Sequence, residues 1–314
     1  MNFLPKKILA VDISDSSIEI LQVSQFLGKI KASFISRSEI TKGIVDKGRI
    51  IDRKQLVLKL KEYTSGASTN KIALAIPDAI VATNIFRFPE DKDIKKEDVL
   101  SEAMKMVSVD LEKSYWDFDI MDVDDAKIAF FVSALKSDID EYRLLFEELD
   151  MVPELFDLNS LCALRAIDID YDDVLIVDIG GRYGVLSAFN GGSLQSVHLV
   201  DFGGENFTEK LSERLNATYE QAEMFKMNVG FDADKEDGRV FLALEDVMQS
   251  LIDEMRKVVN DYEEKNNKKI KKIILSGGSS LIPKLGEYIY ENLSIEAEIG
   301  RPRAGNMVLD YLKS

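Results

Sequence analysis

Short apolar runs broken by turn residues open the chain. KKILAVDIS (6–14) and SIEILQVSQF (17–26) read as the two arms of a hairpin, and KIKASFISRSEI (29–40) as a third strand. The period then changes. IIDRKQLVLKLKEYT carries Leu56, Leu60 and Tyr63 at helical spacing, and KIALAIP (71–77) is a short buried strand. The predicted order is β-β-β-α-β.

The second half repeats the plan. DVLIVDIGG, YGVLSAFN and SLQSVHLVDF are three strands, FTEKLSERLNATYEQAEMFK (207–226) is helical, and KKIILSGG is a late apolar strand ending in glycines. VFLALEDVMQSLIDEMRKVVNDYEEKNNKK reads as a long helix with a solvated charged end. The tripeptide Val-Asp-Ile recurs at 11–13 and 177–179, each time closing a strand that enters a hairpin. Two lobes of like topology would present these turns to each other across a cleft.

Between the repeats, 78–135 reads as strand, helix, strand, strand, a small α+β insertion. DIDEYRLLFEELDM then predicts a helix capped by Ser137 or Asp138, with Tyr142, Leu145, Phe146 and Leu149 on its apolar face, and PELFDL with NSLCALRAI adds a strand and a helix. The expected organisation is a first lobe over 1–77 and 136–171, the insertion over 78–135, and a second lobe over 172–314 with a helical subdomain at about 206–270. The acidic turn at YDDV marks the boundary between lobes.

Composition narrows the chemistry. Over 314 residues, 46% hydrophobic content fills a sizeable core, and a net charge of −16 repels nucleic acid and anionic lipid. Cys162 and His198 are the sole cysteine and histidine, which removes zinc clusters, disulfide frameworks and Cys-His dyads. Both are read as structural. No run approaches the roughly 20 apolar residues of a membrane span, and MNFLPKK is too short for a secretory signal, so a cytoplasmic protein that meets a membrane only through a partner is expected.

Five ordered segments carry a family resemblance: VDISDSSIEIL, GIVDKGRIID, KIALAIP followed by a strand ending in FP, VDIGGRYGVLSAF leading to FGGENFTEKL, and IILSGGSSLIPKLGEYI. Together with the strand-helix-strand-strand insertion they resemble the pilus-assembly proteins of the PilM type, relatives of the cell-division protein FtsA within the actin, Hsp70 and sugar-kinase superfamily. The resemblance implies an α/β fold of duplicated, actin-like RNase H-type lobes. It also implies ATP or ADP with Mg²⁺ in the cleft.

Candidate residues follow from that implication. Asp12 and Asp178 suit the cation, since Mg²⁺ leans on one or two carboxylates plus phosphate oxygens; the alternative is that each merely closes its own turn. Ser14, Asp15, Ser16 and Ser17 could offer amides and hydroxyls to phosphates, although Asp15 adds an anion there and Glu19 stands where the family commonly has lysine. A left-handed Ser14 would cost on the order of 1 kcal/mol relative to glycine. The second turn keeps Gly180 and Gly181; Arg182 could reach a phosphate or pair with Asp12 or Asp178. Gly203 and Gly204 precede a helix start whose unpaired amides would favour an anion. Gly277, Gly278 and Ser279 match the adenosine loop, and Glu223 and Lys226 match a helix that faces the ribose and adenine in the family; an ordinary surface pair is the alternative for the latter two.

No residue stands out as a general base, so rapid hydrolysis is not expected. The resemblance implies a scaffold of a type IV pilus or type II secretion-like machine, peripheral to the inner membrane, that grips the cytosolic N-terminal tail of a PilN-type single-span protein in a groove between the first lobe and its insertion. Two competitors remain: a small-molecule kinase of the superfamily, and an FtsA-like filament protein. The terminus MNFLP resembles the Asn-apolar-Leu-Pro tail of such partners, and self-association through it is a further expectation, against a disordered end.

Overall fold

The computed structural model describes residues 6–26, 29–106, 110–123 and 126–303. The MNFLP terminus and the last eleven residues lie outside them. The chain forms two units, one comprising the residues up to Ala166 with Pro302 onward, the other Ile167–Arg301.

The first unit runs β1 (Lys6–Ile13), β2 (Ser17–Phe26), β3 (Lys29–Glu39), the two-residue strands β4 (Val45–Asp46) and β5 (Arg49–Ile50), α1 (Arg53–Thr64), β6 (Lys71–Ile76), β7 (Val81–Pro89), α2 (Lys96–Ala103), β8 (Ser114–Val123), β9 (Ala126–Leu135), α3 (Lys136–Glu147), β10 (Val152–Leu158) and α4 (Asn159–Ala166). Its main sheet has the order β10-β6-β1-β2-β3, with β1 antiparallel to β2 and parallel to β6. The sheet buries Leu9, Val11, Ile18 and Ile20 with Leu56 and Leu60 of α1 and Tyr142, Leu145 and Phe146 of α3. Asp52 caps α1 by accepting from the Gln55 amide at 3.0 Å.

α3 starts earlier than its polar residues suggest. Leu135 occupies the cap position without a side-chain bond, so neither Ser137 nor Asp138 caps it, and Asp138 instead pairs with Arg49 at 3.4 Å. The helix grows directly out of β9, which leaves no turn in which a hydroxyl or carboxylate could fold back.

The insertion is a three-stranded antiparallel sheet of order β7-β9-β8 with α2 on one face. Phe88, Val99, Ala103, Ala129 and Phe131 form its own small core, against which Trp116 and Phe118 pack.

The second unit comprises β11 (Asp173–Ile179), β12 (Gly184–Asn190), β13 (Ser193–Val200), α5 (Gly204–Leu215), α6 (Tyr219–Asn228), α7 (Arg239–Asn266), β14 (Lys272–Ser276), α8 (Leu285–Leu293) and β15 (Ala297–Ile299). Its sheet order, β13-β12-β11-β14-β15, reproduces that of the first unit strand for strand. The repeated tripeptide keeps its register: Asp12 lies opposite Glu19 and Ala75, Asp178 opposite Val185 and Ser276. Thus the fold is the actin-like α/β duplication expected.

The helix expected over 207–226 is two helices. Asn216 takes a left-handed φ of 48° that ends α5, and the Thr218 hydroxyl accepts from the Gln221 amide while the Gln221 side chain accepts from the Thr218 amide, which starts α6. α7 buries Val240, Leu244, Met248, Leu251, Met255, Val258 and Tyr262, a single stripe at helical period along 28 residues.

Candidate functional site

In the first unit the β1–β2 turn is tied back onto itself. Ser14 Oγ lies 3.0 Å from Ser17 Oγ and accepts from the Ser17 amide at 3.0 Å and the Ser16 amide at 3.3 Å. Ser14 is not among the residues of positive φ, so the serine carries no left-handed strain. Asp15 is buried, and its carboxylate accepts from the Lys47 amide at 2.7 Å and the Gly48 amide at 3.0 Å. It therefore clasps the β4–β5 turn, where Lys47 and Gly48 both have positive φ. Tyr142 of α3 donates to Gly48 O at 2.8 Å, and burial plus the charges of Asp12, Asp15 and Asp138 raise its pKa. Asp12 ends β1 half-buried, and Glu19 points outward to Arg37 at 3.1 Å.

The second unit gathers most of the other candidates. At the start of α5 the Gly204 amide donates to Gly180 O and the Glu205 amide to Gly181 O, both at 2.8 Å, while the Gly203 amide donates to Asn206 Oδ1 at 2.7 Å. The amides expected to be open to an anion are therefore engaged by the β11–β12 turn. Arg182, nearly buried, pairs with Glu205 at 3.1 Å. A Cβ on Gly203 would stand 2.6 Å from Gly181 O, so only glycine lets turn and helix approach this closely.

Lys226 is 5% exposed, and its Nζ reaches Glu223 Oε2 at 2.6 Å, Thr208 Oγ1 at 2.9 Å and Gly204 O at 3.2 Å. Thr208, which the sequence reading missed, also donates to Glu223 Oε2 at 2.6 Å. Ser279, buried, places its Oγ 2.5 Å from the position of a Cβ on Gly204. Gly277 has φ +79°, and a Cβ there would meet Asp178 Oδ1 at 2.3 Å. Beside it, a Cβ on Gly278 would meet nothing within 4 Å. The turn after β11, α6 and the turn after β14 thus converge on Gly204 at the head of α5, with Gly180 O, Lys226 Nζ and Ser279 Oγ all within 4 Å of a Cβ placed there, and with open space at Gly278. Among the described residues no group of three His, Cys, Asp or Glu side chains is placed to hold a metal ion.

His198 lies on β13, where burial lowers its pKa, and burial pushes the Cys162 thiol up to about 11.

A second feature belongs wholly to the first unit. The insertion sheet covers only one face with α2. The opposite face, together with Ile139, Asp140 and Arg143 of α3 and the β10–α4 junction, encloses a groove of about 720 Å³. Its two long walls are edge strands: β8 bounds the insertion sheet and β10 bounds the main sheet. Asp78 lies in the turn between β6 and β7. Its buried carboxylate accepts from Ser160 Oγ at 2.7 Å and the Ser160 amide at 3.1 Å, and the groove-lining residues Ile76, Val81, Leu158 and Leu161 bracket this pair in sequence.

The family described as type IV pilus assembly protein PilM matches residues 10–310. The cell division protein FtsA of Bacillus subtilis (strain 168) is 24% identical over 257 residues, covering 71% of this chain and 55% of FtsA, so the chain spans about half the length of that relative. A solved PilM-PilN type IV pilus biogenesis complex superposes with a TM-score of 0.77 at 18% identity, over 93% of this chain and 87% of the other. MreB5 of Spiroplasma citri bound to AMPPNP gives 0.59 at 13% identity, over 98% and 95%. By the match over 10–310, the chain belongs to the type IV pilus assembly protein PilM family.

Proposed function

We propose that this chain is a cytoplasmic scaffold of a type IV pilus or related secretion machine that takes the extended N-terminal tail of a PilN-type membrane protein into the groove of its first unit. The observation that carries this reading is the groove itself: a largely apolar cavity of about 720 Å³ between two strands that stand at the edges of their sheets. Strand-like pairing supplies affinity there, and side-chain pockets supply selectivity. Among the described residues no helix is long and apolar enough to cross a membrane, so attachment to the inner membrane would come through that partner.

The test is fluorescence anisotropy with labelled tail peptides from PilN-type proteins. Val132 lines the groove from the middle strand of the insertion. Val132→Trp should fill it and weaken binding more than tenfold while the circular dichroism melt stays cooperative; equal affinity for wild type and variant would refute the assignment.

A second reading rests on the convergence at Gly204. We propose that the second unit binds ATP or ADP, with Glu223, Lys226, Gly277, Gly278 and Ser279 around the nucleoside and Asp178 toward Mg²⁺, Asp12 being assigned by sequence resemblance as the other carboxylate. The open space at Gly278 suits a flat base. In the turns proposed for phosphate (Ser14–Ser17, Gly180–Arg182, Gly203 and Gly204) the amides of Ser16, Ser17, Gly180, Gly203 and Gly204 and the Arg182 guanidinium all donate to internal partners, which favours binding with little turnover. Titration calorimetry with ATP-Mg²⁺ should give heat for wild type and reduced heat for Asp12→Ala and Asp178→Ala. Negligible heat for all three would discard this reading and leave the peptide-binding one intact.

A further inference from the structure

β8 alternates. Trp116 and Phe118 turn toward α2, whereas Tyr115, Asp117 and Asp119 turn to the groove. Across the ladder Asp117 pairs with Val132 and Asp119 with Phe130, so each carboxylate stands beside an apolar side chain of the same wall. The groove's other charges are already matched. Asp140 accepts from Tyr115 Oη at 3.2 Å and pairs with Arg143 at 3.4 Å, and Asp157 pairs with Arg165. Asp117 and Asp119 differ: each accepts only the amide of its own successor, Phe118 or Ile120, at 2.9 Å, and neither forms an ion pair among the described residues, Arg143 of the same groove being held by Asp140 and Glu147. Both are exposed on the edge strand.

Resting on the groove assignment above, we infer that the occupant is a cationic peptide, in which two lysines or arginines at alternate positions pair with Asp117 and Asp119 while apolar side chains further along the same face of the peptide enter the groove. The spacing follows from strand geometry. Side chains two apart on a strand repeat at roughly 6.8 Å, so a segment added along the β8 edge matches the Asp117–Asp119 repeat with its own i and i+2 positions. Opposite charges facing each other across paired strands stabilise register, and like charges oppose it. An acidic tail would meet two unneutralised carboxylates and be rejected.

The test uses three labelled ten-residue peptides sharing one Asn-Leu-Leu-Pro core and carrying, at two alternate positions outside it, lysines, glutamines or glutamates. Wild-type protein at about 0.05 M salt should bind the lysine peptide roughly tenfold more tightly than the glutamine peptide, the sum of two exposed charge pairs, and the glutamate peptide most weakly. Raising salt to about 0.5 M should collapse the contrast. The double variant Asp117→Asn, Asp119→Asn keeps an acceptor for each amide. It should bind all three peptides alike, with the glutamine peptide's affinity unchanged. Equal affinities for lysine and glutamine peptides on wild type, or a lysine preference that survives in the double variant, overturn the inference while the groove assignment stands. If no peptide binds, and the natural tails also fail, the groove assignment falls and this inference falls with it.

Discussion

Asp78 is the residue through which pH should reach the first unit. Its carboxyl is 3% exposed, and burial raises its pKa from 3.8 to about 6 despite two hydrogen bonds from Ser160 that pull the other way. In the unfolded chain the group returns to its ordinary value. Between those two values the folded state holds the extra proton, so stability falls as pH rises through the window, the reverse of a salt-bridged carboxylate. A shift of about 2 units corresponds to about 3 kcal/mol at neutral pH, and about 2 of those accrue between pH 4.5 and 7.5. Asp78→Asn keeps the shape and an acceptor for Ser160 but never ionises. The variant should therefore gain on wild type as pH rises, reaching about 2 kcal/mol more relative stability at pH 7.5 than at 4.5. Trp116 is the single tryptophan and sits in the insertion, so its fluorescence through urea titrations at a series of pH values follows the unit that contains Asp78. A variant-minus-wild-type difference that stays flat with pH would show that Asp78 is not a strained buried acid, and the sign reasoning would be wrong.

Three further outcomes follow from single contacts. Gly277→Ala places a Cβ 2.3 Å from Asp178 Oδ1 at φ +79°, so thermal unfolding should show a loss of about 2 to 3 kcal/mol in the second unit; a neutral substitution would mean the turn can yield. Tyr262 of α7 donates at 2.6 Å to buried Asp173, which also pairs with Lys271, and Tyr262→Phe should cost about 2 kcal/mol by denaturant titration. Cys162, with its pKa raised to about 11, should react slowly with iodoacetamide at pH 8 and accelerate about tenfold per pH unit toward 10; a rate that levels off near 9 would indicate an ordinary thiol.

The β-β-β-α-β repeat was readable because each strand is an apolar run ended by turn residues, and the matching registers of Asp12 and Asp178 follow from that repetition. What escaped depended on distance along the chain or on competing local signals. Asp15 reads locally as an anion in a serine turn, yet its partners are the amides of Lys47 and Gly48, more than thirty residues away. The break between α5 and α6 was hidden because Leu211 and Ala222, on either side of it, both enter the core; Asn216 and the Thr218–Gln221 box were the available signals. β15 is three residues long and mostly exposed, below what hydrophobic alternation can reveal. The groove wall was legible in principle, because YWDFDI alternates aromatic and acidic residues with period two, and only the placement of α2 decides which face is left open.

Duplication lets the same position serve two ends. In the first unit β6 leads into a short 3₁₀ turn at Asp78–Ile80, and in the second β14 leads into one at Gly278–Leu281. The first copy buries a carboxylate against Ser160 and sends the chain into the insertion, with the groove-lining residues Ile76 and Val81 on either side of the turn in sequence. The second copy has glycines there, folds tightly against Asp178 and keeps open space at Gly278. A buried acid must keep its hydrogen-bond donors, which ties this turn to Ser160, whereas a glycine pair leaves no side chains over the backbone, as the proposed nucleoside site would need. If this division holds, exchanging the roles should fail asymmetrically. Asp78→Gly would strip Ser160 of its acceptor and weaken peptide affinity in the first unit without altering nucleotide heat in the second, and a matching loss of both would mean that the two turns are not independent devices.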